Sequence, residues 1–275
     1  MSVIFCGVML TPPFTIVQDR MVPLLLIAAG LLVRSAETHG ALTIGLNEAA
    51  RGVWPEVWSA ISLLGLGWAT VILVCAADRS TQAGRKVLIA LVLGGTLTHL
   101  LKHWISDPRP GQALSESLQM IGVPILQGGS MPSGHTLAAF CMAMLLDDHL
   151  RAQLRFASPN LLLWARSSLW ILTALIGLSR IAVGAHWPAD VLVGAGLGML
   201  VGAATLRLAR FWPKGFSGSF PALVISLEVI AAVLAMTYDQ GLQSTVWLQY
   251  LLAGLTLLSA SERVLRWRAR KGVLQ

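Results

Sequence analysis

The sequence predicts an all-α, polytopic transmembrane helical bundle, and three observations carry that prediction. Of the 275 residues, 55% are hydrophobic and only 12% are charged, about half of the roughly 25% charged content of soluble domains. The mean hydropathy is +0.71. The apolar residues fall into several runs close to the length of about 20 residues that crosses a bilayer. A large extramembrane domain has no place in such a chain, so 1–275 is expected to form a single integral membrane domain. The net charge of +7 does not point to nucleic acid, because the basic residues sit at the ends of apolar runs and not along one amphipathic face.

Hydropathy places spans at 14–33, 57–77, 84–105, 133–148, 164–182, 188–208, 221–238 and 245–260. Asp19 and Arg20 interrupt the first run, which favours a retained anchor over a cleavable signal peptide. Between the first two spans, 35–56 mixes Leu42, Ile44, Leu46, Val53 and Trp54 with Glu37, Asn47, Glu48 and Arg51. That mixture suits helices lying in the interface. The span at 133–148 is short and opens on Pro132-Ser133-Gly134-His135, a helix start that leaves backbone N–H groups free. On the sixth span Gly194, Gly196, Gly198 and Gly202 form a small-residue face with two G-x-x-x-G spacings, expected to pack closely inside the bundle. Trp54, Trp58, Trp104, Trp187, Trp212 and Trp247 fall near span ends, as in an interfacial belt.

The remaining polar and sulfur residues receive plainer expectations. Cys6, Cys75 and Cys141 are odd in number and far apart, so they are read as packing residues and not as a disulfide or metal framework. Asp147, Asp148 and His149 suit a solvated helix end. Glu228 lies inside an apolar run, where it either serves function or pairs with another inward-facing group.

Charge asymmetry sets the expected orientation. With the N-terminus in the cytoplasm, fifteen of the twenty Lys and Arg residues fall on the inner side, leaving Arg34, Arg51, Lys102, Arg109 and Arg180 outside. Both termini are thus expected to be cytoplasmic. Three of the outer cations belong to segments that begin or end helices on that outer face. Lys102 and Arg109 flank Lys102-His103-Trp104-Ile105-Ser106-Asp107-Pro108-Arg109-Pro110, Arg180 opens the stretch from Ser179-Arg180 to His186 and Asp190, and Pro132-Ser133-Gly134-His135, a helix start on the same face, lies between them.

The residue types define a chemistry. Two arginines and a lysine around a Ser-Gly helix start offer forked donors, a point charge and backbone N–H groups, which suit a dianionic phosphate. Two histidines on different helices supply a nucleophile and a proton donor, which a phosphate ester with a poor leaving group needs. Asp190 follows His186 by four positions at the start of a helix, where a carboxylate is favoured and can orient the imidazole.

Lys-x6-Arg-Pro, Pro-Ser-Gly-His and Ser-Arg-x5-His-x3-Asp, in that order, resemble the three signature motifs of the type 2 phosphatidic acid phosphatase superfamily, and all eleven fixed positions match. The resemblance covers about 85–208, the expected catalytic core, and implies a six-helix core followed by about two further C-terminal helices and a basic tail over 209–275. It implies that His186 is the nucleophile, forming a phosphohistidine, that Asp190 orients it, and that His135 is the general acid. Lys102, Arg109, Ser133, Gly134 and Arg180 would bind the phosphoryl oxygens, with no metal and no other cofactor. The substrate class implied is a lipid phosphate or pyrophosphate, such as phosphatidic acid, phosphatidylglycerophosphate, undecaprenyl pyrophosphate or lipid A. It would be hydrolysed in the bilayer at the outer face of a bacterial inner membrane. Lipid phosphotransfer is the nearest alternative, and anion transport a remote one.

Overall fold

The computed structural model describes residues 20–36, 39–122, 129–211, 220–239 and 245–272. Among them the chain forms eleven helices: α1 (Val22–Ser35), α2 (His39–Ala50), α3 (Pro55–Leu63), α4 (Gly67–Ala77), α5 (Thr81–Ile105), α6 (Pro110–Ala113), α7 (Gly134–Gln153), α8 (Pro159–Ala182), α9 (Pro188–Phe211), α10 (Phe220–Thr237) and α11 (Val246–Gly272). No strand occurs among the described residues. Cys6, Asp19 and Trp212 lie outside them.

The all-α membrane bundle is what the sequence predicts, but its eight uninterrupted spans are not. Among the described residues, only Gln82–Ala113, Pro159–Ala182 and Pro188–Phe211 are long and apolar enough to cross a bilayer on their own. Two further spans arise only if bent pairs are joined, α1 with α2 at 108° and α3 with α4 at 67°. The run at 57–77 therefore breaks at Leu64–Leu66, which a hydropathy window cannot detect because the residues on both sides are equally apolar. At the break, a Cβ on Gly65 would stand 2.8 Å from Ile176 Cγ2 and 3.0 Å from His135 Cβ, so the two helices turn directly against α7 and α8.

Helix α9 is the central post. A Cβ on Gly198 would lie 2.4 Å from the carbonyl of Leu137, and one on Gly194 2.7 Å from that of Ser133, both on the α7 side. Gly196 turns the other way, where a Cβ would meet Pro23 O of α1 at 2.5 Å. The glycine face expected to pack inside the bundle does so, holding α1 and α7 against opposite sides of one helix. Leu63, Ile72, Val87, Met142 and Ile176 make a core shared by α3, α4, α5, α7 and α8, and Val224 and Leu252 extend it to α10 and α11. Cys75 and Cys141 are buried and unpaired by disulfides, in keeping with packing roles.

Away from the motif ends, ion pairs close the other end of the bundle. Asp147 is not solvated as the sequence suggests: it is fully buried and accepts from Arg151 at 3.1 Å and Arg166 at 2.5 Å. Its neighbour Asp148 meets Lys86 at 3.1 Å. Glu228 is likewise fully buried, accepting from Ser259 Oγ at 2.8 Å and Arg263 Nε at 3.1 Å. Arg263 in turn donates to the carbonyls of Cys75 at 2.7 Å and Asp78 at 3.1 Å, which ties α11 to the end of α4. A buried carboxylate needs such partners, and removing one of them commonly costs about 3–5 kcal/mol.

Gly198→Leu forces a side chain into the α7 backbone, a kind of overpacking that costs about 1–3 kcal/mol or more. The variant is expected to lower the unfolding midpoint in detergent, followed by tryptophan fluorescence, whereas Gly95→Ala, with open space around it, leaves it unchanged.

Candidate active site

Four helix ends converge: the C-terminal ends of α5 and α8 and the N-terminal ends of α7 and α9. Each is shaped by local sequence. Ser106 ends α5 with φ 47°, and Pro110 at the first position of α6 places Arg109 at its N-cap. Ser133 caps α7, its hydroxyl accepting from Thr136 Oγ1 at 2.9 Å and from Thr136 N at 3.4 Å. Gly184 turns the chain between α8 and α9 with φ 75°, and a Cβ there would strike Met120 Sδ at 2.4 Å. That turn lets the amides of Ala185 and His186 both donate to the Arg180 carbonyl, at 3.0 and 3.1 Å. Arg180 and His186 are thereby brought to the same place.

At the centre stands Asp190, 1% exposed. Its Oδ2 accepts from Ser130 Oγ at 2.5 Å, from the Trp187 amide at 2.9 Å and from His186 Nδ1 at 3.2 Å. On the far side of the imidazole, Arg109 Nη1 donates to His186 Nε2 at 3.3 Å and to the Ala185 carbonyl at 3.1 Å. A guanidinium only donates, so this arrangement assigns the ring proton to Nδ1 and a lone pair to Nε2. His186 is 2% exposed. Burial, followed by the charges of Arg109, Arg180 and Lys102, holds its imidazole well below the ordinary value of 6.5. The neutral form therefore persists at acid pH.

Arg109, His135 and Arg180 line one cleft, with the backbone of 183–185. The Nε atoms of Arg109 and Arg180 are buried without a hydrogen-bond partner among the described residues. Guanidinium N–H groups left unmatched in a cleft are what an oxyanion would satisfy. Among the residues the sequence proposes, three are directed elsewhere. Lys102 Nζ donates to the carbonyls of Gly129 at 2.6 Å and Ser130 at 3.1 Å, and the Ser133 hydroxyl is engaged in its cap. Gly134 faces a second, apolar groove between α4, α5 and α7, lined by Gly67, Leu91, Gly95, Ala138 and Cys141. His135 lines both cavities.

The matching segment of the chain can now be stated. Residues 83–214 match the family model described as the PAP2 superfamily. The likeness to the PAP2 superfamily covers that stretch, just under half of the chain. It contains all eight motif residues discussed above. Phosphatidylglycerophosphatase B of Bacillus subtilis is 30% identical over 129 residues, 45% of this chain and 56% of that protein. Lipid A 1-phosphatase of Porphyromonas gingivalis is 42% identical over 110 residues, 36% of this chain and 23% of that protein. The chain thus spans little more than half of the first of these relatives and about a quarter of the second. In fold it is similar to the crystal structure of a transmembrane PAP2-type phosphatidylglycerolphosphate phosphatase from Bacillus subtilis, with a TM-score of 0.55 and 22% identity over 72% of this chain and 98% of that one. The PAP2 fold is that of a multi-pass helical membrane protein.

Several residues that build the site carry no sequence signal of their own. Ser130 lies outside every motif. Asn47, placed by sequence in an interfacial helix, is 1% exposed. Its amide donates to the carbonyls of Ala182 at 2.9 Å, Gln119 at 3.1 Å and Ile181 at 3.2 Å, and its Oδ1 accepts from Gln119 N at 2.8 Å. It thereby satisfies carbonyls that the end of α8 leaves open. Arg34 pairs with Asp107 at 2.9 Å, and the rings of His39 and Trp187 meet at 4.7 Å with a tilt of 43°. Asn, Arg and His at such positions look in sequence like ordinary interfacial polar residues. Only the return of α1 and α2 over the site reveals their use.

Ser130→Ala removes one of the three donors on Asp190 Oδ2, a loss worth about 1–3 kcal/mol for a buried group. Under a phosphatase reading of the site, turnover is expected to fall about tenfold or more with a smaller change in KM, measured by phosphate release in detergent, and Ser130→Thr is expected to restore part of it.

Proposed function

We propose that the protein is a metal-independent lipid phosphatase working through a phosphohistidine, with 85–208 as its catalytic core. The observation that carries the proposal is the state of one atom: His186 Nε2 keeps its lone pair because Nδ1 is bound to Asp190, and it meets Arg109, which lines the cleft. When a phosphate dianion enters, its oxygens take over the donors of Arg109 and satisfy the free Nε atoms of Arg109 and Arg180. Nε2 is then free to attack phosphorus. The P–O bond to the leaving group breaks as the N–P bond forms, and His135 gives its proton to the departing oxygen. Water, deprotonated by the now neutral His135, then attacks phosphorus and releases inorganic phosphate and His186. Lys102 and the first amides of α7 add positive potential where charge spreads over the equatorial oxygens. So many cations around the phosphoryl site repel a divalent metal, which supports a metal-free route.

A lipid substrate fits the continuity of the two cavities. His135 stands where the polar cleft meets the apolar groove, so a phosphate can reach the cations while its hydrocarbon lies between α4, α5 and α7. Both named relatives are lipid phosphatases by title, a phosphatidylglycerophosphatase and a lipid A 1-phosphatase, in line with this reading. The Lys and Arg distribution supports a cytoplasmic placement of both termini and a site on the outer leaflet of a bacterial inner membrane.

Rapid quenching with a ³²P-labelled lipid phosphate is expected to trap acid-labile, base-stable phosphoprotein in the native chain and none in His186→Ala. Turnover in that variant should fall on the order of 10⁴-fold, and native activity should persist in EDTA. Phosphorylation of His186→Ala at the native level overturns the assignment. The pH profile adds a second check with a defined sign. Because the neutral form of His186 is the active one and its pKa is lowered, the acid limb of kcat/KM, corrected for the substrate's own ionisation, should lie below pH 6.5, while the need for a proton on His135 makes kcat/KM fall again toward alkaline pH.

A further inference from the structure

The cation beside Nε2 of His186 is carried by a short piece of chain with little freedom of its own. Arg109 stands between Pro108 and Pro110, and a proline fixes its own φ while restricting the residue before it. Displacement of Asp107 is therefore passed on to Arg109. Asp107 lies outside the fixed positions of the motif, yet it is bonded on two sides. Its carboxylate accepts from Arg34 Nη2 at 2.9 Å, and its carbonyl accepts from the amide of Ser130 at 2.9 Å. Ser130 in turn donates to Asp190. One residue thus connects to both neighbours of the imidazole, to Arg109 at Nε2 along the chain and to Asp190 at Nδ1 by way of Ser130.

The anchor of Asp107 comes from before residues 83–214. Arg34 lies in the last turn of α1, its side chain 43% exposed against 24% for that of Asp107. His39 opens α2, where its Nδ1 donates to the carbonyl of Val33 at 3.1 Å and its ring meets that of Trp187. The indole Nε1 of Trp187 donates to the Pro108 carbonyl at 2.8 Å, a second hold on the chain that carries Arg109. Arg34, His39, Asp107, Pro108, Trp187 and Asp190 border one cavity. An ion pair this exposed adds little to the stability of a fold, whereas moving a group at a reacting centre by about 1 Å can cost about 100-fold in rate. The pair therefore bears on where Arg109 stands and not on whether the bundle folds.

Resting on the hydrolytic reading above, we infer that Arg34 and Asp107 form a positioning pair that holds the Arg109 guanidinium against Nε2 of His186, so that α1, outside the family segment, places the cation that nucleophile and phosphate share. The ring of His186 is faced by Arg109 from the chain before α6, Arg180 from α8, Lys102 from α5, His135 from α7 and Asp190 from α9. After burial, Arg109 is the strongest of the influences that keep the imidazole below 6.5. Once the pair is lost and Arg109 drifts away, that value rises.

The imidazole itself reports on this without any substrate. Its titration is followed by ¹⁵N NMR of the full chain in detergent, the signal being assigned by its loss in His186→Ala. Arg34→Ala and Asp107→Ala are both expected to raise the pKa by about half a pH unit or more, and the double variant by no more than either alone, with the unfolding midpoint unchanged. A direct effect of the two charges gives shifts of opposite sign instead, because removing a cation raises the value and removing an anion lowers it. Opposite shifts, no shift, or a double variant equal to the sum of the singles overturns the pair. In parallel, kcat/KM for a lipid phosphate should fall about tenfold in each single variant, and Arg34→Lys, which keeps the charge, should recover part of the loss. A loss matched by a lower unfolding midpoint, with His186 titrating as in the native chain, makes the role structural and overturns the proposal. Shifts of the same sign in a chain that releases phosphate from no lipid phosphate would leave the pair standing and remove the hydrolytic reading.

Discussion

A single carboxylate oxygen joins the parts of this protein. Asp190 Oδ2 collects donors from the strand of chain before α7, from the turn before α9 and from the imidazole of His186, while its backbone carbonyl accepts from Ser133 N at 3.1 Å. A charge buried so deeply is tolerated only when its partners are in place, so the folded bundle and the oriented histidine are stabilised by the same bonds. Misplacing any of the three segments would leave the carboxylate short of donors. The geometry of the imidazole is therefore a by-product of satisfying a buried anion.

Much of this was legible beforehand. Apolar run lengths indicate an all-helical membrane chain, and the glycines of α9 mark where helices touch, because close approach demands the absence of a side chain. The motif residues converge because each lies at a helix terminus, which is also where backbone donors and αL or glycine turns make chain reversal cheap. What the sequence hides is of two kinds. The break between α3 and α4 lies within a uniformly apolar run, so hydropathy passes over it. Ser130 and Asn47 act through hydrogen bonds to partners 60 and 135 residues away, and no local pattern encodes such distances. Asp147 illustrates the reverse error: next to Asp148 and His149 it resembles a wet helix end, yet Arg166 from the neighbouring helix encloses it.

The family segment does not stand alone. Helices α1 and α2 brace the site from one side through Arg34, His39 and Asn47. At the other end of the bundle, Glu228 and Arg263 fasten the last two helices to the carbonyls that finish α4. The same last pair presents Tyr238 to the cleft. Pieces of chain before and after the family segment thus shape the walls of the cavity, and one of them, Ser62, accepts a hydrogen bond from Arg180.

His135 sits at the seam between a wet chamber and a greasy one, and that seam has a consequence for traffic. On the proposed reading, an anion freed on one side drains into water while the hydrocarbon remnant slides back into the leaflet it came from, so that departing molecules do not share a doorway with each other.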